Sequence, residues 1–343
     1  MDKVSGREGF FLNGVTIMVY LGIDVSKAKL HACLLNEPDP CKTKVVENNP
    51  PGIARLLAWA ARHGAPTAQV HAVMEATGGY HEVAAHTLFE AGVTVSIVNP
   101  AQAKDFARGL AVRTKTDGVD SHVLARFGAL LKPPAWQPPD PAVRELQALL
   151  ARREAVAQDL RREQNRREKA LATVTPLRVH QSINDAIAFL EKALAPLQQD
   201  IDQHIDRHPG LKADLALLTS IPAVGPQVGC QLLAILQSHA FVSAEQLAAY
   251  VGLVPVERQS GTSLVGRTRL SKAGPARVRA VRYMAAVVAI RYNPHVKALY
   301  ERLVARGKAK KAALGAAMRK LVHLCFGVIK TRQPYQADYA LSA

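Results

Sequence analysis

The sequence predicts an α/β domain followed by a mostly helical region. Three short strand-like segments open the first half, and helical and strand patterns then alternate. From Val143 onwards, apolar residues recur mainly at helical spacing. At 343 residues, the chain is long enough for two or three domains, each with its own core.

The first domain is expected over residues 18–135, after a leader of residues 1–17. Its elements in order are a strand ending in Gly22-Ile23-Asp24, strands at Lys29–Leu35 and Thr43–Glu47, a helix from Pro50 to about Arg62, a strand at Val70–Met74, a helix at His81–Glu90, a strand at Val93–Val98 and a further helix. This order fits a mixed sheet with helices on its faces, as in an RNase H-like fold. A doubly wound parallel sheet is the competing topology, but three consecutive strands favour a meander.

Four acidic residues stand at strand ends or at one helix start: Asp24, Glu75, Asp117 and Asp120. Each has an ordinary explanation, since a carboxylate at a strand end can face water and acids are favoured at helix N-termini. Their convergence at one point would produce strong repulsion. A divalent cation, Mg²⁺ or Mn²⁺, would relieve that repulsion and support phosphate chemistry.

The positive charge of the chain is concentrated near its C-terminus. The formal net charge is +16, and residues 258–330 contain 17 Lys and Arg against one acid, Glu301. This segment therefore accounts for the whole excess. Such asymmetry indicates a polyanionic partner, most simply nucleic acid.

The cysteines indicate a reducing cytoplasm. The four, Cys33, Cys41, Cys230 and Cys325, show no CxxC spacing and do not suggest a disulfide framework. Charged residues or histidines interrupt the apolar runs, so we expect no membrane span. The N-terminus lacks a secretory pattern.

A proline-rich connector, Pro133–Pro141, ends the first domain, and a helical region is expected over residues 140–207. The pattern predicts a long helix at Val143–Val174, paired antiparallel with Ile183–Ile205. A coiled coil used for self-association and a hairpin packed on its own domain are both open.

A mostly helical C-terminal domain is expected over residues 211–330, followed by a tail at 331–343. Leu217–Leu236 reads as a helix-hairpin-helix element, in which Gly225 and Gly229 would let the backbone approach a phosphate. A tight turn between two core helices is the alternative. The following elements are a short helix at Phe241–Tyr250, an irregular segment at 251–263, and helices at Ala276–Tyr292, Ala298–Lys311 and Ala312–Lys330.

Three motifs in the first half resemble those of a bacterial insertion-sequence transposase family. They are GIDVSK at Gly22–Lys27, MEATGGY at Met74–Tyr80 and KTDGVDS at Lys115–Ser121. The family is related to the Piv and MooV DNA invertases and includes bridge-RNA-guided recombinases. The resemblance implies a RuvC-like domain whose metal-binding tetrad is Asp24, Glu75, Asp117 and Asp120. Lys27 and Lys115, within the same motifs, are expected to contact nucleic acid.

A stretch in the second half, YVGLVPVERQSGTSLVGRTRLSKAGPARVR, resembles the second domain of the same family. The resemblance implies that Ser260 attacks DNA and forms a covalent phosphoserine intermediate, with Ser263 and Ser271 less favoured. It also implies a homo-oligomer (a dimer or tetramer), double-stranded DNA at the element ends and target, and a guide RNA in many members. The basic side chains expected to position phosphates are Arg267, Arg269, Lys272, Arg277, Arg279 and Arg282.

Three other functions remain open from sequence. A RuvC-like nuclease would use metal-activated water in place of serine. An actin-like phosphotransferase would use GIDVS as its first phosphate hairpin, although a second phosphate loop is not visible. A non-enzymatic nucleic-acid binder would explain the basic segment but leave four acids without a role.

Overall fold

The computed structural model describes residues 18–36, 41–112, 116–260, 264–271 and 276–338. The chain divides into two compact units, with the boundary between Pro138 and Pro139. This boundary lies inside the predicted proline-rich connector. The finer domain limits given above stay predictions.

The first unit contains a five-stranded mixed sheet with four longer helices. In chain order its elements are β1 (Val19–Val25), β2 (Lys29–Leu35), β3 (Lys42–Glu47), α1 (Pro50–Arg62), β4 (Val70–Glu75), α2 (His81–Glu90), β5 (Thr94–Val98), α3 (Pro100–Gly109) and α4 (Asp117–Leu131). The strand order is β3-β2-β1-β4-β5. β1 pairs antiparallel with β2 and parallel with β4, which confirms the predicted meander and the RNase H-like, RuvC-like fold class.

The two faces of the sheet are covered by different helices. Leu21 and Ile23 of β1 belong to a core that includes residues of α1 and α2. Val73 of β4 belongs to a second core with Leu124 and Phe127 of α4. Because side chains alternate along a strand, the even-numbered residues of β1 and the odd-numbered residues of β2 and β4 face α4.

Capping residues set where the helices of this unit begin. Asn49 and Asn99 each accept a backbone N–H bond before α1 and α3, whose first residue is proline. The hydroxyl of Thr116 accepts from the amide of Val119 and caps α4. Asp117 and Asp120 therefore lie inside the first turn of α4, at the helix start where the sequence placed them.

The connector after α4 packs along the edge strand β5. The amide of Trp136 donates to the carbonyl of Val95 at 2.6 Å. Its ring lies edge-on to Phe89 of α2, and the hydroxyl of Ser96 donates to the carbonyl of Pro134 at 2.7 Å. The first unit therefore includes the start of the connector.

The second unit is mostly helical. Its elements are α5 (Pro141–Leu171), α6 (Leu177–Arg207), α7 (Pro209–Thr219), α8 (Pro226–Ser238), α9 (Ala244–Tyr250), β6 (Pro255–Ser260), β7 (Leu264–Leu270), α10 (Ala276–Tyr292), α11 (Pro294–Ala305) and α12 (Lys310–Thr331). The predicted antiparallel pair is confirmed as α5 and α6, and its base joins the core of this unit through Leu146 and Ile201. Its role in self-association stays a prediction.

Two expectations for the second unit are wrong. The segment expected to be irregular contains β6, which forms an antiparallel hairpin with β7, with a bulge between Val256 and Arg258. The chain also breaks between α11 and α12 at residues 306–309, where Gly307 has a φ of 79°. This break lies inside the predicted Ala298–Lys311 helix and not at its end.

Among the described residues, one helix, α12, is long and apolar enough to cross a membrane by length and composition. Half of that stretch is buried, and Leu321 and Cys325 lie in the core of the second unit. The core of a globular unit is therefore sufficient to explain the apolar character of α12.

The cysteines differ from the expectation. Cys33 of β2 and Cys41, just before β3, form a disulfide across eight residues of sequence. The spacing of the two residues did not suggest this pair, which becomes adjacent because β2 and β3 are antiparallel. Cys230 and Cys325 are buried thiols outside this disulfide.

Candidate active site

Asp24 lies near the end of β1, on the face of the sheet covered by α4. Burial raises the pKa of Asp24 above its ordinary value of 3.8, and the negative charges of Asp117 and Asp120 raise it further. The nearby His31 and the amide of Val25 act in the opposite direction. Three of the four predicted acids therefore share one electrostatic environment.

Glu75 reaches the same edge of the sheet as Asp24. It is the last residue of β4, and the parallel register pairs Ile23 with Met74. The next position on each strand carries an acid, Asp24 on β1 and Glu75 on β4. Both acids face α4 by the alternation of side chains, so Glu75 lies at the same end of the sheet as Asp24. Its role as a metal ligand stays a prediction.

The first turn of α4 reaches this edge because α4 packs directly on β1. A β-carbon on Gly22 would collide with the backbone of Ser121 and Ala125. Further along, a β-carbon on Gly128 would lie 2.6 Å from the ring of Tyr20. The helix therefore runs antiparallel to β1, and the absence of side chains at these two glycines allows the close approach.

His31, which was not singled out from sequence, belongs to this group of residues. It lies directly opposite Asp24 in the β1–β2 register. Its Nε2 atom is 3.2 Å from the Oδ2 atom of Asp117. An imidazole therefore lies between a strand acid and a helix acid.

Asn48 is a second residue that sequence reasoning missed. Its side-chain amide donates to the carbonyl of Ser26, after β1, at 3.0 Å and to the carbonyl of Tyr80, before α2, at 2.9 Å. Asn48 thereby ties together the loops that follow Asp24 and Glu75.

The four acids fit a hard divalent cation by donor type, because carboxylate oxygens are the ligands that Mg²⁺ and Mn²⁺ prefer. Burial raises the pKa of Asp24, and the negative charges of Asp117 and Asp120, which raise it further, repel Asp24 in a way that a cation relieves. Among the residues the structure describes, no three His, Cys, Asp or Glu side chains lie close enough together to hold one metal ion.

The lysines predicted in the same motifs have different outcomes. Lys27 is exposed in the turn between β1 and β2, where it is accessible to a ligand. Lys115 lies outside the described residues. Their contact with nucleic acid stays a prediction.

The predicted nucleophile lies on the hairpin of the second unit. The backbone of Ser260 ends β6 opposite Leu264, and its side chain lies outside the described part of the structure. Ser263 and Lys272 also lie outside the described residues. Ser271 follows β7, and its amide donates to the carbonyl of Val254 at 2.9 Å.

The predicted phosphate-binding arginines are placed by their backbone alone. Arg267 and Arg269 belong to β7, and Arg277, Arg279 and Arg282 belong to α10. The side chains of these five residues lie outside the described part of the structure.

The two predicted glycines of the helical hairpin have different environments. Gly225 is exposed at the N-cap of α8, preceded by Ala223 with a φ of 82°. Gly229 is buried, its amide bonds to Gly225 within α8, and a β-carbon there would lie 2.8 Å from Leu215 of α7. Gly229 serves helix–helix packing, and its contact with phosphate stays a prediction.

Two family models match most of this chain. A family model described as "Transposase" matches residues 21–176, and one described as "Transposase IS116/IS110/IS902 family" matches residues 215–301. The Pilin gene-inverting protein of Moraxella lacunata is 34% identical over 319 residues, covering 92% of this chain and 97% of that protein. The chain belongs to the IS116/IS110/IS902 transposase family. It is therefore a DNA recombinase or transposase, and neither an actin-like phosphotransferase nor a non-enzymatic binder.

Two further likenesses are partial. An uncharacterized 43.6 kDa protein of insertion element IS110 from Streptomyces coelicolor is 26% identical over 157 residues, covering 46% of this transposase and 38% of that protein. The solved structure of Thermus thermophilus RuvC with a Holliday junction substrate covers 33% of this transposase and 96% of that chain, at 19% identity and a TM-score of 0.25.

Proposed function

We propose that this transposase cleaves and rejoins DNA strands by metal-assisted phosphodiester transfer, with Ser260 as the nucleophile. Asp24, Glu75, Asp117 and Asp120 would hold Mg²⁺ or Mn²⁺. The observation that supports this most is that Asp24 and Glu75 follow paired positions of β1 and β4, while α4 packs directly on β1 at Gly22.

The acids and the serine have separate roles in the proposed reaction. When bound, the divalent cation would polarise a phosphate oxygen and stabilise the leaving oxygen. The hydroxyl of Ser260 attacks phosphorus, and the new phosphoserine bond replaces the bond to the departing DNA oxygen. The serine proton passes to solvent or a nearby base, and the departing oxygen takes up a proton. A second DNA hydroxyl then attacks the phosphoserine, which restores the serine.

The basic segment supports a nucleic-acid partner. Residues 258–330 carry 17 Lys and Arg and one acid, enough to neutralise many phosphates. The proposed partners are double-stranded DNA, a guide RNA and further copies of the transposase in a dimer or tetramer. Sequencing the RNA that co-purifies with the protein tests the guide: one recurrent structured RNA supports it, and only random fragments contradict it.

Trapping of the covalent intermediate tests the nucleophile. A substrate that is nicked next to the cleaved phosphate loses its departing strand, so the adduct accumulates on the protein. We expect the wild type, Ser263→Ala and Ser271→Ala to form this adduct and Ser260→Ala to form none. An adduct that persists in Ser260→Ala assigns the bond to another residue.

The same variants distinguish the nuclease alternative. An enzyme that uses water still cleaves in Ser260→Ala and loses cleavage in Asp24→Asn. The serine mechanism predicts that both variants lose strand cleavage.

A further inference from the structure

A pocket with a volume of about 450 Å³ lies in the second unit, between the start of α11, the last turns of α12 and the segment that follows α12. Its size falls within the range of about 300–1,000 Å³ that is usual for small-ligand sites. Leu324 and Val328 contribute apolar surface, while His295, Lys320 and His323 contribute polar groups. Apolar surface with a few polar groups is the usual composition of a ligand site.

One face of α12 forms a wall of this pocket. Lys320, Leu324, Gly327 and Thr331 follow one another at spacings of four, three and four residues, and all four line the pocket. These spacings place them on the same side of a helix. A side chain at position 327 would therefore enter the pocket.

Packing does not require a glycine at position 327. A glycine inside a helix is destabilising relative to alanine, because it loses more conformational freedom on folding. A β-carbon at Gly327 meets nothing within 4 Å, whereas one at Gly315 of the same helix would lie 3.5 Å from Leu270. The effect of Gly327 is therefore to keep the pocket open, although it destabilises α12.

A second wall, the segment after α12, is held in place by contacts within the second unit. The backbone amide of Tyr335 donates to the hydroxyl of Ser220 at 2.8 Å, and its phenol oxygen lies 2.6 Å from Nδ1 of His295. Arg332 pairs with the carboxylate of Asp214, whose side chain is 3% exposed. This wall is therefore in place before a ligand binds.

The polar and aromatic groups of the pocket suit a ligand that has a flat ring and a negative charge. Lys320 supplies a positive charge, and none of the described residues that line the pocket is acidic. Glu245 comes within 4.0 Å of His323 but does not line the pocket. The rings of His295 and Tyr335 meet edge-on, with centroids 5.4 Å apart. An aromatic side chain can stack on a base, and a lysine can bind a phosphate.

We propose that this pocket binds one unpaired nucleotide, with the base against the apolar surface and the phosphate beside Lys320. The family of the chain recombines DNA, and the excess of Lys and Arg in residues 258–330 attracts nucleic acid. The pocket contains neither the four acids nor Ser260, so this role is separate from the proposed function. DNA and RNA both supply such a nucleotide.

The test compares two labelled duplexes, one with a single bulged nucleotide and one in which the bulge is abasic, each made of DNA and of RNA. Fluorescence anisotropy with the full-length protein in a chelator measures binding without cleavage. We expect the wild type to bind the bulged base about tenfold more tightly than the abasic bulge, which is the usual size of a stacking contact. Gly327→Leu should abolish this preference and leave affinity for the abasic bulge unchanged.

Gly210→Leu is the matched control, because Gly210 also lies in a helix of the second unit and a β-carbon there meets nothing within 4 Å. It should keep the preference for the base. Gly327→Ala fills less of the pocket and should lower the preference by a smaller factor than Gly327→Leu. Thermal unfolding should show both Gly327 variants folded, because alanine and leucine favour a helix more than glycine does.

A preference for the base that survives in Gly327→Leu, or that is lost equally in Gly210→Leu, overturns the proposal. Equal affinity of the wild type for the base-bearing and abasic bulges, in DNA and in RNA, also overturns it. A preference with DNA alone or RNA alone supports the pocket and identifies the source of the nucleotide. Because cleavage is not measured, failure of the serine mechanism would leave this result unchanged.

Discussion

Gly22 of β1 lies directly against the backbone of Ala125 in α4, with no room for a side chain between them. This contact sets the distance between the strand that carries Asp24 and the helix that carries Asp117 and Asp120. The distance of Asp117 and Asp120 from Asp24 therefore depends on Gly22.

Gly22→Ala should move α4 away from β1. The added methyl group meets backbone atoms, which cannot rotate away, so we expect a loss of about 3 kcal/mol or more in the free energy of unfolding. Urea unfolding measures this loss. Gly109→Ala is the control, because a β-carbon there meets nothing within 4 Å. Equal stability of the two variants would contradict the packing.

Asn48→Asp should loosen the two loops that Asn48 joins. The replacement keeps the shape, removes both N–H donors and turns a carboxylate towards two carbonyl oxygens, which costs about 1–3 kcal/mol. We expect lower stability together with slower DNA cleavage.

Asn49→Ala provides the comparison for this variant. Asn49 caps α1 through the amide of Gly52, and loss of such a cap costs about 1 kcal/mol. We expect Asn49→Ala to lose stability but to cleave DNA normally at a temperature where it is folded. If Asn48→Asp and Asn49→Ala both cleave DNA more slowly, the loss of stability alone explains the slower cleavage.

Asp24→Asn should make the metal-free protein more stable at neutral pH. Burial and the charges of Asp117 and Asp120 raise the pKa of Asp24, so the folded chain binds this proton more tightly than the unfolded chain. The free energy of unfolding of the wild type therefore falls as pH rises from about 3.8 through the folded-state pKa. In Asp24→Asn, which has no carboxyl group at this position, this decrease in the free energy of unfolding is absent.

Unfolding in a chelator across this pH range measures the difference between the wild type and Asp24→Asn. Asp105→Asn, at an exposed position of α3, is the control. Added Mn²⁺ should stabilise the wild type and not Asp24→Asn. A wild type that is stabilised by rising pH relative to Asp24→Asn would contradict the acid cluster.

Gly229→Ala should change the stability of the protein, whereas Gly225→Ala should change its affinity for DNA. The added carbon at Gly229 meets Leu215 and Thr219, so we expect a loss of stability of about 1 kcal/mol. At Gly225, a β-carbon meets nothing within 4 Å, so stability should change little. If the turn contacts phosphate, DNA affinity measured by fluorescence anisotropy falls in Gly225→Ala and not in Gly229→Ala. Unchanged affinity in Gly225→Ala would remove the turn from the nucleic-acid interface.

The positions of the four acids at strand ends and at a helix start could be predicted, because each position is marked by the residues next to it in the sequence. Asp24 and Glu75 each interrupt or end an apolar strand, and Asp117 and Asp120 share one helix face. His31 and Asn48 could not be found this way, since their partners are distant in sequence. His31 of β2 and Asp117 of α4 are separated in the chain by six elements, β3 to α3, and only strand pairing and helix docking bring them together.

Among the residue types used to predict the site, glycine was the least specific for contact with phosphate. A glycine beside a helical hairpin has the same sequence pattern whether its backbone meets a phosphate or another helix, as Gly225 and Gly229 illustrate. The hairpin of β6 and β7 was missed for a related reason, because the QSGTS segment, which begins with the last two residues of β6, is typical of a loop.

The bond from the amide of Trp136 to Val95 has a consequence for dissection of the transposase into fragments. It covers the outer edge of β5, whose unpaired backbone groups would otherwise be available to another chain. A fragment that stops at the end of α4 removes this cover together with the indole on Phe89. Expression of the isolated first unit should therefore give soluble monomer when it ends at residue 138 and edge-to-edge aggregates when it ends at residue 131.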